Sequence, residues 1–270
     1  MGYSIFDDTM VDMTWPQIEE AVKEGAIALL PTGVIEAHGP HMGLGVDAYG
    51  AYIQCKLTRR CLEARGIKTL VVPPYYWGIN NALGSFHGSF TVRKETMKNL
   101  LCDIFSSLNR WGVKNVFNIN HHGDPEHNSA IFEAIQSSRS EIGINAYSIL
   151  SDWDAKRFGF TSEEDFIILM EDSDEDEAGS DYIDIHAGAG ETSMMLKYFP
   201  GSVDVELAKS LKPTNLTGED LKEWRKGWDI SRKVTPLGYV GNPAGYGSID
   251  GSMEKFAEHA AFLIEKRIKI

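Results

Sequence analysis

The chain has 270 residues, 43% of them hydrophobic, with 39 acidic against 26 basic side chains and a formal charge of −13. This composition excludes a disordered or fibrous chain, and the negative charge disfavours non-specific binding to nucleic acid or to an anionic membrane surface. No stretch approaches the roughly 20 uninterrupted apolar residues that a membrane helix needs.

Residues 1–12 hold no basic region followed by an apolar run, so no secretory signal is expected. Three widely spaced cysteines, Cys55, Cys61 and Cys102, fit neither a disulfide framework nor a zinc ribbon. A reducing, cytoplasmic setting follows as the expectation.

Taken in order, the chain reads as alternating strands and helices. Thr14 and Gln17 are spaced to cap a first helix that runs to Gly25. Residues 26–31 are a short apolar run, read as a buried strand. A helix over 47–65 stops at Gly66, and residues 69–72 are the next strand. Residues 75–89 are rich in Gly, Asn and aromatics without a clear period and read as a loop. Met97, Leu100, Leu101, Ile104, Phe105 and Leu108 share one face of a helix over 94–111. Residues 113–120 are a third strand, 128–138 a helix and 144–150 a fourth strand. Residues 151–182 read as a long acidic insertion, centred on 162–181, with nine carboxylates and no basic residue between Glu163 and Glu177. Within it, 166–170 fits either a strand or a helical turn. A helix over 190–199, an irregular stretch over 200–248 and a terminal helix over 253–269 complete the pattern. With no repeats and no Pro- or Ser-rich linker, residues 1–270 read as one domain. Strand–helix alternation predicts a three-layer αβα sandwich around a mainly parallel sheet, with ligands bound beyond the carboxyl ends of the strands.

Three clusters of chemistry-bearing residues lie at such positions. The first follows the strand at 26–31 and supplies Glu36, His38, His41 and Asp47. Imidazole nitrogen with carboxylate oxygen is a ligand set for zinc, manganese or iron. In an extended segment Glu36 and His38 point the same way. The second cluster, Asn120-His121-His122-Gly123-Asp124-Pro125-Glu126-His127, follows the strand at 113–120 and could complete a site begun by the first. The third is Asp184-Ile185-His186-Ala187-Gly188-Ala189-Gly190-Glu191-Thr192-Ser193, with Glu191 in the first turn of a helix, where a carboxylate is favoured. The bland alternatives are an N-cap for Asp47, a loop position for His38 and a cap for Glu191.

Together the clusters resemble the creatininase family. Glu36-Ala-His38-Gly-Pro-His41, with Asp47 six residues on, looks like its first signature. Asn120-His121-His122 is similar to its Asn-Gly-His motif, and His186-Ala-Gly-Ala-Gly-Glu191-Thr-Ser to its third. The resemblance implies a site for two divalent ions, Zn2+ or Mn2+ or Fe2+. Glu36 and His122 would hold one ion and His38 and Asp124 the other, with Asp47 bridging. It also implies a homohexamer. His121 replaces the family's glycine, and Pro125-Glu126-His127 looks inserted, so the last ligand lies between Asp124 and Glu126. Trp153 resembles a tryptophan that closes over substrate in creatininase. The aromatic loop with Tyr76 and Trp77 offers a wall for a flat heterocycle, and His87 is a further pocket candidate.

The expected chemistry is hydrolysis of the C–N bond of a small cyclic amide, a creatinine-like lactam, by a hydroxide shared between two metals. His186 or Glu191 would protonate the leaving nitrogen. A formamide deformylase of the same family, or a non-catalytic metal-binding protein on the same scaffold, is the alternative. A phosphoester hydrolase is disfavoured because no Arg or Lys clamp lies in the clusters.

Overall fold

A computed structural model describes residues 6–161, 164–171, 183–247 and 252–269. The first helix, α1 (Trp15–Lys23), opens with the capping pair read from the sequence: the backbone N–H of Thr14 donates to Gln17 Oε1 at 2.7 Å. There follow β1 (Ile27–Thr32), α2 (Val46–Ala64), β2 (Thr69–Val71), α3 (Lys94–Trp111), β3 (Asn115–Asn120), α4 (Pro125–Ile142) and β4 (Asn145–Ser151). Then come α5 (Asp152–Phe158), β5 (Ile167–Met170), α6 (Ala189–Tyr198), α7 (Val205–Ser210), α8 (Gly218–Trp224), α9 (Trp228–Val234) and α10 (Ser252–Ile268).

The five strands form one wholly parallel sheet in the order β2-β1-β3-β4-β5. Most strand residues are buried whichever way they point, because both faces of the sheet are covered. Ala28, Leu30 and Val116 face a core shared with Met97, Leu101 and Phe105 of α3 and Ile131 and Ile135 of α4. Ile27, Leu29, Phe117 and Ile119 face the opposite way, against α2 and α10. This is the expected sandwich. The chain lays β2 on one side of β1 and β3 on the other, so the strand order reverses between β1 and β3. A crevice beyond the carboxyl ends of those two strands is where such sheets bind ligands.

Three local readings change. The helix expected over 128–138 begins at Pro125, because the Asp124 side chain caps it and proline suits a first helical position. Residues 167–170 form the edge strand β5, not a helical turn. The stretch read as irregular over 200–248 contains three short helices, fixed by local caps such as Asp204 to the Leu207 N–H and the Thr217–Asp220 box. Each is too short to show a helical period. Most of the acidic insertion, residues 162–163 and 172–182, lies outside the described residues. Among the described residues, no helix is long and apolar enough to cross a membrane.

Candidate metal centre

The segment leaving β1 crosses the carboxyl edge of the sheet and turns back into α2. Gly33 makes that path possible: a Cβ there would stand 2.7 Å from the Asp47 backbone carbon. The close approach brings Asp47, in the first turn of α2, beneath Glu36 and His38. His122 arrives from the end of β3, the neighbour of β1. All four are buried, with 0–7% of their surface exposed.

Asp47 stands between two imidazoles. Its Oδ1 lies 3.4 Å from His38 Nε2 and its Oδ2 lies 3.1 Å from His122 Nδ1. Glu36 Oε1 is 3.3 Å from His122 Nδ1 and 3.7 Å from His186 Nδ1. Glu191 Oε2 lies 3.7 Å from His38 Nε2 and accepts the Ala187 N–H at 2.5 Å. The side chains thus form two groups with metal-ligand spacing that share Asp47: Glu36, Asp47 and His122, and His38, Asp47 and Glu191. A third combines Glu36, His38 and His186.

The far nitrogens of the histidines are held by backbone. His122 Nε2 lies 3.0 Å from Ile79 O, His38 Nδ1 3.2 Å from Glu36 O, and His186 Nε2 2.9 Å from Ala37 O. A carbonyl can only accept, so each far nitrogen carries the proton, and the lone pair of the near nitrogen can face an ion, as in histidine metal sites. Glu36 Oε2, His38 Nε2 and Asp47 Oδ2 are buried without a hydrogen-bond partner. Such groups carry a desolvation cost unless a cation sits among them. The donor set and its orphaned atoms therefore fit divalent metal.

Charge in the metal-free cluster follows the same logic. Burial opposes a charge on His38, but Asp47, Glu191 and Glu36 outweigh it and hold its pKa up to about 10. His122 is likewise raised against burial by Glu36 and Asp47. Burial raises Glu36, with Asp47 adding to the effect. Asp47 is depressed despite burial, by His38 and His122. Burial lowers His186 to about 4, with His38 adding repulsion.

Asp124 and Glu126 are placed differently from the family pattern. Asp124 Oδ1 accepts the N–H groups of Glu126 and His127 at 2.8 and 3.2 Å, and Oδ2 accepts that of Asn81 at 3.0 Å. Glu126 is exposed and accepts Asn81 Nδ2 at 3.0 Å. Neither belongs to a metal-capable group; Glu191 stands beside His38 instead.

A cavity of about 660 Å³ opens beside Glu36, His122 and His186. Trp153 on α5 lines it. Tyr76, Trp77 and His87 do not line it. The loop before α3 turns inward at Ile79 and Asn81 to reach His122 and Asp124, and this leaves Ala82 and Leu83 on the cavity wall. Trp77 packs edge-on to Phe90, and His87 is exposed. Sequence reasoning missed Trp224, Arg225 and Arg157, which also line the cavity. Their only signal was chain position, after β4 and within the stretch read as irregular. Asp184 was named in the third cluster without a role. It accepts the Ala189 N–H at 2.8 Å and fixes the turn carrying His186.

An open parallel sheet with a buried carboxylate–imidazole centre at its strand-order reversal defines the class: an α/β protein with a site fit for divalent metal. Residues 11–264 match the family model "Creatininase: Creatinine amidohydrolase". The chain is 28% identical to creatinine amidohydrolase of Pseudomonas putida over 232 residues, covering 82% of each. It is 27% identical to the mycofactocin precursor peptide peptidase of Mycobacterium ulcerans over 245 residues, covering 88% of this chain and 79% of that protein. A solved creatinine amidohydrolase shares the fold with a TM-score of 0.68 at 22% identity, covering 97% of this chain and 96% of its own. Another, described as "Creatininase Mn", gives a TM-score of 0.67 at 21% identity over 97% and 98%. The chain belongs to the creatininase family of hydrolases.

Proposed function

We propose that the protein is a metal-dependent amidohydrolase that cleaves the C–N bond of a small amide. The observation that carries this reading is Asp47, which turns one oxygen to His38 and the other to His122 amid buried polar atoms without partners. Glu36, Asp47 and His122 would hold one divalent ion, and His38, Asp47 and Glu191 a second. Manganese, present in the name of one solved creatininase, and zinc both suit these donors, as does iron. The ions would supply Lewis acidity and acidify water towards neutrality.

The chain's own residues do the rest. His186, with Nε2–H fixed on Ala37 O, keeps Nδ1 as an acceptor on the cavity wall. It receives a proton from water and passes it to the leaving nitrogen, a role worth roughly 10²–10⁴-fold. Trp153 and Trp224 cover the cavity and restrict water around the scissile bond. The Mycobacterium ulcerans relative, by its name, acts on a peptide, so an acyclic amide suits this site as well as a lactam. The reading includes a homohexamer in the cytoplasm.

The test is turnover by Mn2+- or Zn2+-loaded protein of a panel of lactams, formamides and N-acyl amino acids, with Asp47→Ala as control. Turnover by wild type and none by Asp47→Ala is expected. Equal inactivity of both on every amide, with metal bound to wild type, would overturn the assignment.

A further inference from the structure

Two cations line the same cavity as Glu36, His122 and His186: Arg157 of α5 and Arg225 at the end of α8. The Arg157 guanidinium sits over two rings, its Cζ 5.2 Å from the centroids of both Trp153 and Phe158. Its Nη2 donates to Gly123 O at 2.5 Å, and its side chain is only 21% exposed. Its one ion pair among the described residues is with Asp154, at 4.0 Å. The Arg225 guanidinium makes no ion pair or hydrogen bond with a described residue.

The acidic side chains on the same wall answer these charges only in part: Asp154 and Asp124 favour the charged Arg157, but each is also engaged elsewhere. Asp124 is consumed by three backbone N–H groups. Asp184 accepts the N–H groups of Ala189 and Asn242 at 2.8 and 3.3 Å. Asp154 is bonded to Ser151. The two guanidiniums repel one another, and Arg157 is further disfavoured by its burial. A chain with an excess of carboxylates has thus gathered two incompletely paired arginines in the wall of the cavity beside its acidic centre. A purely structural reading covers Arg157, which braces the turn after His122. It does not cover Arg225.

Resting on the amidohydrolase reading, we propose that Arg157 and Arg225 bind the carboxylate of an acyclic amide substrate while its amide carbonyl is presented to the metal centre. The substrate class is therefore an N-acyl amino acid or the carboxyl end of a short peptide. Planar guanidiniums match a carboxylate in a two-point fork, and such charge-assisted bonds are about twice as strong as neutral ones. The volume of about 660 Å³ leaves room for a chain between the two ends.

The test is calorimetric binding to the metal-loaded protein of N-acetylglycine, N-acetyl-β-alanine and N-acetyl-4-aminobutyrate, each against its neutral carboxamide. At least one carboxylate should bind about tenfold or more tightly than its carboxamide, and Arg225→Gln and Arg157→Gln should each erase that preference. Arg157→Lys should restore it only in part. Equal binding of every pair, binding of none, or a preference that survives both substitutions would overturn the proposal, the last because the metals then hold the carboxylate. Arg225 is exposed, so its variant decides the matter even if Arg157 variants do not fold. Hydrolysis is followed in the same samples: a carboxylate preference without any turnover would refute the amidohydrolase reading and leave the anion site standing.

Discussion

If the proposed ligands hold metal, loading the centre must expel protons. In the metal-free protein His38 is held to a pKa of about 10 by the carboxylates around it, and His122 is raised by the same neighbours. His38 is imidazolium at pH 7.5, His122 is biased the same way, and each would have to present a lone pair to an ion. Each occupied site therefore releases about one proton, and its apparent affinity rises about tenfold per pH unit until the histidine is neutral. Glu36, also raised, adds to the release at lower pH. The sign for folding is opposite. A histidine with a raised folded pKa stabilises fully below its unfolded value near 6.5, and that contribution fades as pH climbs towards 10. For His38 the span from 6.5 to about 10 corresponds to at most about 5 kcal/mol. Metal-free protein should thus lose stability above pH 6.5, while stabilisation by metal grows over the same range. The assay is calorimetric titration with Mn2+ or Zn2+ in buffers of differing ionisation enthalpy, with thermal melts of the stripped and loaded protein. No proton release, or an affinity flat between pH 6 and 8, would refute the assigned ligands.

Below pH 6.5 a second set of histidines acts. Burial depresses His186 to about 4 and holds His127 well below its usual value. Both are neutral in the fold, so stability present above 6.5 falls as the pH drops towards 4, and stripped protein should melt highest near pH 6.5. Asp124→Ala should lower stability by about 1–2 kcal/mol through loss of the α4 cap while elemental analysis still finds two ions per chain; loss of one ion would restore Asp124 as a ligand. Gly33→Ala forces a Cβ against the Asp47 backbone and should cost about 1–3 kcal/mol and weaken metal binding; unchanged melting and affinity would show that the turn yields. Light scattering should find a hexamer, and a monomer at micromolar concentration would exclude it.

What the sequence made legible has a physical pattern. The run 27–31 is apolar because the sheet is covered on both faces, and 115–120 keeps buried Val116, Phe117 and Ile119 between asparagines; both announced themselves as strands. Glu36 and His38 were placed together by the period of an extended chain, and they meet with His38 Nε2 3.9 Å from Glu36 Oε1. Choices among carboxylates were not legible. Asp124 and Glu191 both sit at helix starts, where a carboxylate either caps or faces a ligand. Asp124 Oδ1 accepts the N–H groups of Glu126 and His127 in the first turn of α4, whereas Glu191 begins inside α6 and its longer side chain reaches towards His38. Pro125 tips that choice by starting the helix immediately after Asp124. The aromatic loop illustrates another limit: composition marked Tyr76 and Trp77 as a wall, but the backbone contacts of Ile79 and Asn81 decide which side chains reach the cavity.

The arginines reveal why an acidic protein can still select an anion. At a formal charge of −13 the chain repels a carboxylate at long range, but this field is screened beyond about 8–10 Å at ordinary ionic strength. Recognition is then settled at the cavity wall, where Arg157 is partly desolvated and Asp124 and Asp184 are already occupied by backbone N–H groups. Metal at one end and cations at the other would grip a substrate by its carbonyl and its carboxylate, so chain length between them sets specificity. Raising the salt concentration should accordingly change the carboxylate preference less than removing Arg225 does; a preference that collapses between 50 and 300 mM NaCl, measured with the same carboxylate and carboxamide pairs, would mean the anion is attracted diffusely and not held by the pair.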